Sequence, residues 1–236
     1  MQVILYITLS AWMAGVTAYG GGLIARIEGS AETRIKRRIV HGVIAFGGGI
    51  LLAAVCFALL PESMERLSIF TLGTTFVSGG ILFAVLDAFQ SRHGGTRAQF
   101  LAMLMDFVPE ALSLGAVFSQ NRRLGVLLAV FIALQNLPEG FNAFREMRKA
   151  GSPARLILGL LLGISLLGPV CALLGYFFLQ NHPVITAGIM SFASGGILYL
   201  IFQDIAPQSK MRRHWSPTLG SVFGFLTGML GHVLIM

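Results

Sequence analysis

Eight runs of about twenty apolar residues, divided by short polar gaps, leave this chain few ways to fold. The runs cover residues 2–25, 40–60, 67–89, 99–119, 124–144, 155–179, 184–205 and 217–236. A helix of roughly 20 apolar residues crosses the hydrocarbon core of a bilayer. Lipid offers no hydrogen bonds, so each run must satisfy its own backbone as a helix. The period-two alternation of a membrane β-barrel is absent. The expected fold is therefore an all-α membrane protein of eight transmembrane helices in one transmembrane domain, residues 1–236. Only 11% of residues are charged, against about 25% in soluble domains. That excludes a soluble enzyme, a disordered tail and a disulfide-knit module. The 29 glycines suit close packing of membrane helices.

The net charge of +7 does not point to nucleic acid, because the basic residues lie in short gaps with no basic domain or interleaved aromatics. Instead they set an orientation. Arg26, Arg34, Lys36, Arg37 and Arg38 follow the first span; Arg92 and Arg97 follow the third. Arg145, Arg148, Lys149 and Arg155 follow the fifth, and Lys210, Arg212 and Arg213 the seventh. Only Arg66, Arg122 and Arg123 fall on the other side. The positive-inside rule then places both termini outside. No cleavable signal is evident at the start. Cys56 and Cys171 lie in apolar runs and read as small buried hydrophobes. His41, His93, His182, His214 and His232 read as interfacial residues.

The chain resembles itself internally. Gly47-Gly48-Gly49-Ile50-Leu51 in span two is echoed by Ser78-Gly79-Gly80-Ile81-Leu82 and by Ser194-Gly195-Gly196-Ile197-Leu198. Leu60-Pro61 ends span two and Ala206-Pro207 ends span seven. This fits a 3+2+3 arrangement with inverted outer repeats: residues 1–98, a central helix pair at 99–149, and residues 150–236. The plainer reading is small residues placed for close helix packing.

Charge inside the membrane carries the functional signal, because an Asp at a helix centre costs about 2.5–3.5 kcal/mol on insertion scales. Glu28, Glu32, Glu62, Glu65 and Glu146 lie in gaps or at span edges. Asp87 and Asp204 lie near span ends, where a solvated or Arg-paired acid is expected. Asp106, Glu110 and Glu139 remain as deep acids. They occur in related frames, Asp106-Phe107-Val108-Pro109-Glu110 and Gln135-Asn136-Leu137-Pro138-Glu139. The i, i+4 spacing stacks Asp106 on Glu110 and Gln135 on Glu139. Pro109 and Pro138 each remove an N–H donor, which frees a carbonyl at Met105 and at Leu134 and kinks the helix. Freed backbone at that depth is tolerated where it lines a polar cavity. Three carboxylates in low dielectric call for a divalent cation or for shared protons. Ser113 and Asn142 are candidates to line the route.

These residues resemble the ZIP family of zinc- and iron-regulated metal transporters over nearly the whole chain. The most specific piece is Pro138-Glu139-Gly140 after Gln135-Asn136. The resemblance implies a metal site of Asp106, Glu110, Gln135 and Glu139, with Pro109, Asn136, Pro138, Ser113 and Asn142 in support. Two departures stand out. Phe107 and Gly168 occupy positions where relatives carry side chains for a second metal, so one metal is expected rather than two. The all-oxygen set suits hard ions such as manganese, zinc also accepts carboxylates, and the resemblance favours zinc and iron.

The resulting expectation is transport of a divalent metal ion, zinc first and then iron or manganese, toward the cytoplasm. Neither enzyme activity nor an organic cofactor is expected. The partners are membrane lipid and metal ions, with a homodimer implied by the resemblance alone and a bacterial inner membrane as the setting. A proton-coupled carrier of another solute and a non-transporting metal sensor are the alternatives.

Overall fold

The computed structural model describes residues 2–28, 33–92, 98–211 and 214–236. Glu32, His93, Arg97, Arg212 and Arg213, all used above, lie outside the described residues. Among the described residues eight helices are long and apolar enough to cross a membrane. They are α1 (Gln2–Glu28), α2 (Arg34–Arg66), α3 (Ile69–Arg92), α4 (Ala98–Phe118), α5 (Arg122–Lys149), α6 (Ala154–Leu179), α7 (Pro183–Ser209) and α8 (Ser216–Ile235). The chain is an all-α membrane protein. An isolated bridge between Met211 and His214 is the sole β feature among the described residues.

Several helices outrun their apolar segments, α2 and α5 the furthest. α2 extends from Arg34 to Arg66 rather than over 40–60, and α5 continues to Lys149 rather than 144. Polar residues carry a helix past the hydrocarbon as readily as apolar ones, so an apolar run marks only the part inside lipid. Caps fix the ends. The Thr33 side chain accepts from the Lys36 N–H at 3.2 Å, and Asn121 Oδ1 accepts from the Leu124 N–H at 3.1 Å. α5 stops at Gly151, whose φ of 91° is the left-handed conformation that favours glycine.

The helices pack as two groups of four. In one, α1 lies against α5 and α6, and α4 against the same two. In the other, α2 lies against α8, α3 against α7, and α2 against α7. The groups meet where α5 contacts α2 and α8, and where α4 contacts α7.

Glycines explain why contacts within each group are closer. Gly21 of α1 faces the Leu137 carbonyl while Gly140 of α5 faces that of Ala18. Gly115 and Gly175 exchange the same contact between α4 and α6, Gly49 and Gly224 between α2 and α8, Gly79 and Gly195 between α3 and α7. At each of these eight positions a Cβ would overlap a facing backbone oxygen, so backbones touch directly. Across the boundary the contacts are side-chain ones: a Cβ on Gly47 would meet Pro138 Cγ at 2.9 Å.

α2 and α7 share an interruption. Each contains a π-helical turn, Val55–Leu59 and Ile201–Ile205, followed two residues later by Pro61 or Pro207. The Leu60 N–H donates to the Val55 carbonyl and the Ala206 N–H to that of Ile201. Proline cannot donate to the regular ladder, and the widened turn before it takes up one extra residue.

One burial expectation is corrected. Cys171 is buried, but Cys56 is exposed. An apolar run records that a residue avoids water, and a lipid-facing position satisfies that as well as a packed one.

Candidate metal centre

α4 and α5 run antiparallel within one group and bring their Pro-Glu frames together. Both helices pass through their prolines without a break. Asp106, Glu110, Gln135 and Glu139 are all buried; Glu110 and Gln135 are 1% exposed and Glu139 is 6%. Gln135 Nε2 donates to Glu110 Oε2 at 2.5 Å, which ties the two frames directly. Glu139 is within electrostatic reach of both Asp106 and Glu110.

The unusual feature is what these groups do not bond. Asp106 Oδ1, Gln135 Oε1 and both carboxylate oxygens of Glu139 are buried with no hydrogen-bond donor among the described residues. A buried acceptor left without a partner costs about 1–3 kcal/mol, and more when charged. Four such oxygens on two adjacent helices form a cluster of acceptors suited to a cation. The cluster is gathered but not closed: among the described residues, no three His, Cys, Asp or Glu side chains stand close enough to hold an ion together. An amide, Gln135, occupies one corner and engages Glu110.

The supporting residues have separate roles. Asn136 Nδ2 donates to the Ala14 carbonyl of α1 at 2.9 Å, a strut within its own group, while its Oδ1 is a further buried acceptor without a donor among the described residues. Asn142 Nδ2 donates to Gln208 Oε1 of α7 at 2.8 Å, which bridges the two groups. Ser113 is buried on α4 with its hydroxyl unpartnered among the described residues. Pro138 is buried beside Gly47 of α2, and Pro109 is half-buried. Replacing Asn136 by Ala is expected to cost about 0.5–1.5 kcal/mol. Thermal unfolding in detergent checks this.

Two cavities of about 10 Å³ each flank Glu139 at the boundary between the groups, each with room for about one water-sized particle. The first is lined by Asp106, Glu139 and Asp204 among others. Asp204, expected as a solvated or Arg-paired acid at a span end, is instead half-buried and lines this cavity from the opposite group. The π turn of α7 carries it, and no periodicity in the sequence announces a π turn. The signal that was available was the acid three residues before Pro207 in a self-similar segment. Asp87 accepts from the Tyr199 hydroxyl at 2.9 Å, and among the described residues neither Asp87 nor Asp204 forms an ion pair.

Phe107 and Gly168, the two departures noted in the sequence, touch each other. A Cβ on Gly168 would lie 3.0 Å from the Phe107 ring and 2.8 Å from the Ala11 carbonyl oxygen. Phe107 is 1% exposed. Ring and backbone fill this space.

A family model described as ZIP Zinc transporter matches residues 95–236, a stretch that contains both Pro-Glu frames. The chain is similar to zinc transporter GufA of Myxococcus xanthus, 30% identical over 145 residues, covering 58% of this chain and 57% of that protein. It is also similar to zinc transporter ZIP13 of Pongo abelii, 26% identical over 231 residues, covering 84% of this chain and 68% of that protein. The matched stretch thus spans little more than half the length of the first relative.

Proposed function

The chain belongs to the ZIP zinc transporter family, and on that premise we propose that it carries a divalent metal ion across the membrane, toward the cytoplasm. Zinc ranks ahead of iron and manganese. Asp106, Glu110, Gln135 and Glu139 are the ligands, and one ion binds at a time. The observation that carries this reading is the set of buried oxygens on Asp106, Gln135 and Glu139 with no donor. A divalent cation is the ligand that satisfies several carboxylate oxygens at once without adding protons. Both of these relatives are named zinc transporters, which supports placing zinc first.

The single-ion stoichiometry follows from Phe107 and Gly168. The space where the family resemblance would put further ligands is occupied by an aromatic ring packed on a helix backbone.

The packing supports a mechanism. All four proposed ligands ride on α4 and α5, within the group whose backbones touch through glycine pairs. The boundary with the other group is made of side-chain contacts, among them the Asn142–Gln208 bond, the Lys36–Glu28 ion pair and the bond from Arg123 to the Met236 carbonyl. The ligand-bearing group moves as one body against the other, and side-chain contacts re-form more readily than backbone ones. Asp204, from the opposite group, offers the ion a carboxylate on the far side of the boundary.

The same packing supports the inverted repeat of residues 1–98 and 150–236 around the pair at 99–149. Exchanging α1 with α6, α2 with α7, α3 with α8 and α4 with α5 maps the principal helix contacts onto one another. The paired π turns of α2 and α7 also match. Outward termini, a homodimer and a bacterial inner membrane belong to the same reading.

The test is uptake by the purified chain in liposomes, with Zn²⁺, Fe²⁺, Mn²⁺, Cd²⁺ and Mg²⁺ offered in turn. Flux is expected for zinc and is lost in the Glu110→Ala/Glu139→Ala double variant. Flux that survives the double variant overturns the site. Binding without flux overturns transport and points to a sensor.

A further inference from the structure

Three polar side chains, each from a different helix, meet beneath the cavity beside Asn142. The cavity, about 10 Å³, is bounded by Ile44 and Gly48 of α2, Glu139 of α5 and Ile205 of α7. One helical turn further along the same three helices stand His41, Asn142 and Gln208. On all three the step leads toward the basic ends. Arg34 and Lys36 open α2, Arg148 and Lys149 close α5, and Lys210 follows α7. We propose that Gln208, anchored by His41 and latched to Asn142, is the gate that closes the ion's way out from Glu139 toward those basic ends.

The contacts divide into an anchor and a latch. Gln208 lies in the last turn of α7, where backbone carbonyls have run out of helical donors. His41 Nδ1 donates to the Gln208 carbonyl. A carbonyl only accepts, so the proton sits on Nδ1. This bond holds the Gln208 backbone within its own group, because α2 and α7 pack together. The Gln208 side chain crosses the boundary instead, and its Oε1 accepts from Asn142 Nδ2 at 2.8 Å. Asn142 is 7% exposed and lines the cavity itself. When the groups separate, the anchor stays with α7 and the latch breaks.

The chemistry of the layer suits passage rather than storage. An ion leaving Glu139 meets amides there, not another carboxylate. Conduction needs stations that bind weakly enough to let the ion go, and opening the latch frees Gln208 Oε1 as a neutral acceptor on the route. One neutral hydrogen bond shifts an equilibrium by about two- to tenfold net. That is enough to favour the closed state and too little to prevent opening. A competing way out lies on the other side of Ile205, in the cavity bounded by Asp106 and Asp204. The Gln208 side is favoured because its closing bond crosses the boundary along which the groups move.

The gate's role in flux rests on the transport reading, whereas closure of the cavity is measured without transport. The probe is Ile44→Cys in the full chain with Cys56→Ser and Cys171→Ala. Ile44 lines the cavity and is 9% exposed. The purified protein in detergent is treated with a small trimethylammonium methanethiosulfonate, and mass spectrometry follows the adduct. Gln208→Ala is expected to speed labelling about two- to tenfold. Asn142→Ala should match it and the double variant should add nothing, since the same bond is lost each time. Gln208→Glu still accepts from Asn142 and should restore the native rate or a slower one. Ser63→Ala removes a buried bond from α2 to the Ala187 carbonyl of α7. It should lower Tm and leave labelling unchanged.

Unchanged labelling in Gln208→Ala puts the way out on the Asp204 side of Ile205 and overturns the proposal. So does additive acceleration in the double variant, or Gln208→Glu labelling as fast as Gln208→Ala. Equal acceleration in Ser63→Ala means general loosening and overturns it too. Zn²⁺ uptake in liposomes is the separate arm. Gln208→Ala is expected to raise the half-saturating concentration about two- to tenfold with the maximal rate retained, because the closed, loading state is less populated. Native uptake kinetics in that variant remove Gln208 from the ion's path. If the native chain shows no uptake while labelling follows the latch, the closure stands and the transport reading falls.

Discussion

Glu139→Gln is expected to abolish metal uptake while leaving the fold at least as stable as the native one. Both Glu139 oxygens are buried without a donor among the described residues, so the neutral amide forfeits no hydrogen bond. It also removes a charge whose burial is costly. The new amide N–H has Asp106 in the same small cavity as an acceptor. A gain of about 1 kcal/mol, about 2–4 °C in Tm for a chain of this size, is the expected direction. Uptake should fall by more than about 100-fold, since even groups that only orient a metal ligand are worth 10–100-fold. Parallel uptake and unfolding measurements check the two halves together. Uptake within twofold of native removes Glu139 from the ligand set. A large drop in Tm assigns it a structural role instead.

Gly140→Val is expected to do the reverse, eliminating the folded protein outright. Its Cβ would overlap the Ala18 carbonyl oxygen, and neither α1 nor α5 can withdraw without breaking the reciprocal contact at Gly21. The expected cost exceeds about 4 kcal/mol, beyond ordinary overpacking. Gly159→Val is the control, because a Cβ there meets nothing within 4 Å. It should gain a few tenths of a kcal/mol from helix propensity. Gly47→Val lies between the two. Its obstacle is the Pro138 ring across the group boundary, so it should fold and slow transport. Size-exclusion profiles in detergent rank the three. If Gly47→Val is as damaging as Gly140→Val, the boundary is no looser than the interior and the two-body reading fails.

The spans were legible because apolar length is a direct demand of lipid. Only their polar extensions, such as Arg34 to Ile39 of α2, escaped that signal. The Pro-Glu frames were legible because charge at that depth is costly enough to be rare. The grouping of helices was not legible. α1 packs on α5 and α6 rather than on its neighbour α2, and hydropathy does not encode which non-adjacent helices meet. The glycine motifs were visible as patterns, but their pairing across helices needs three dimensions. Asp204 was set aside as a span-end acid because the apolar run stops at 205, whereas the helix that carries it continues to Ser209.

The contact between Phe107 and Gly168 has an evolutionary consequence. Trimming Phe107 alone opens a cavity in a packed interior, a loss of about 3–5 kcal/mol for a full truncation. Enlarging Gly168 alone drives a side chain into the Ala11 carbonyl and the ring. Each step is harmful unless the other has occurred, and the second still needs α1 to shift at Ala11. This is sign epistasis. A lineage at this point would cross a fitness valley to place a second set of ligands in this space, so packing would hold the proposed one-ion arrangement in place even where selection favoured a second metal.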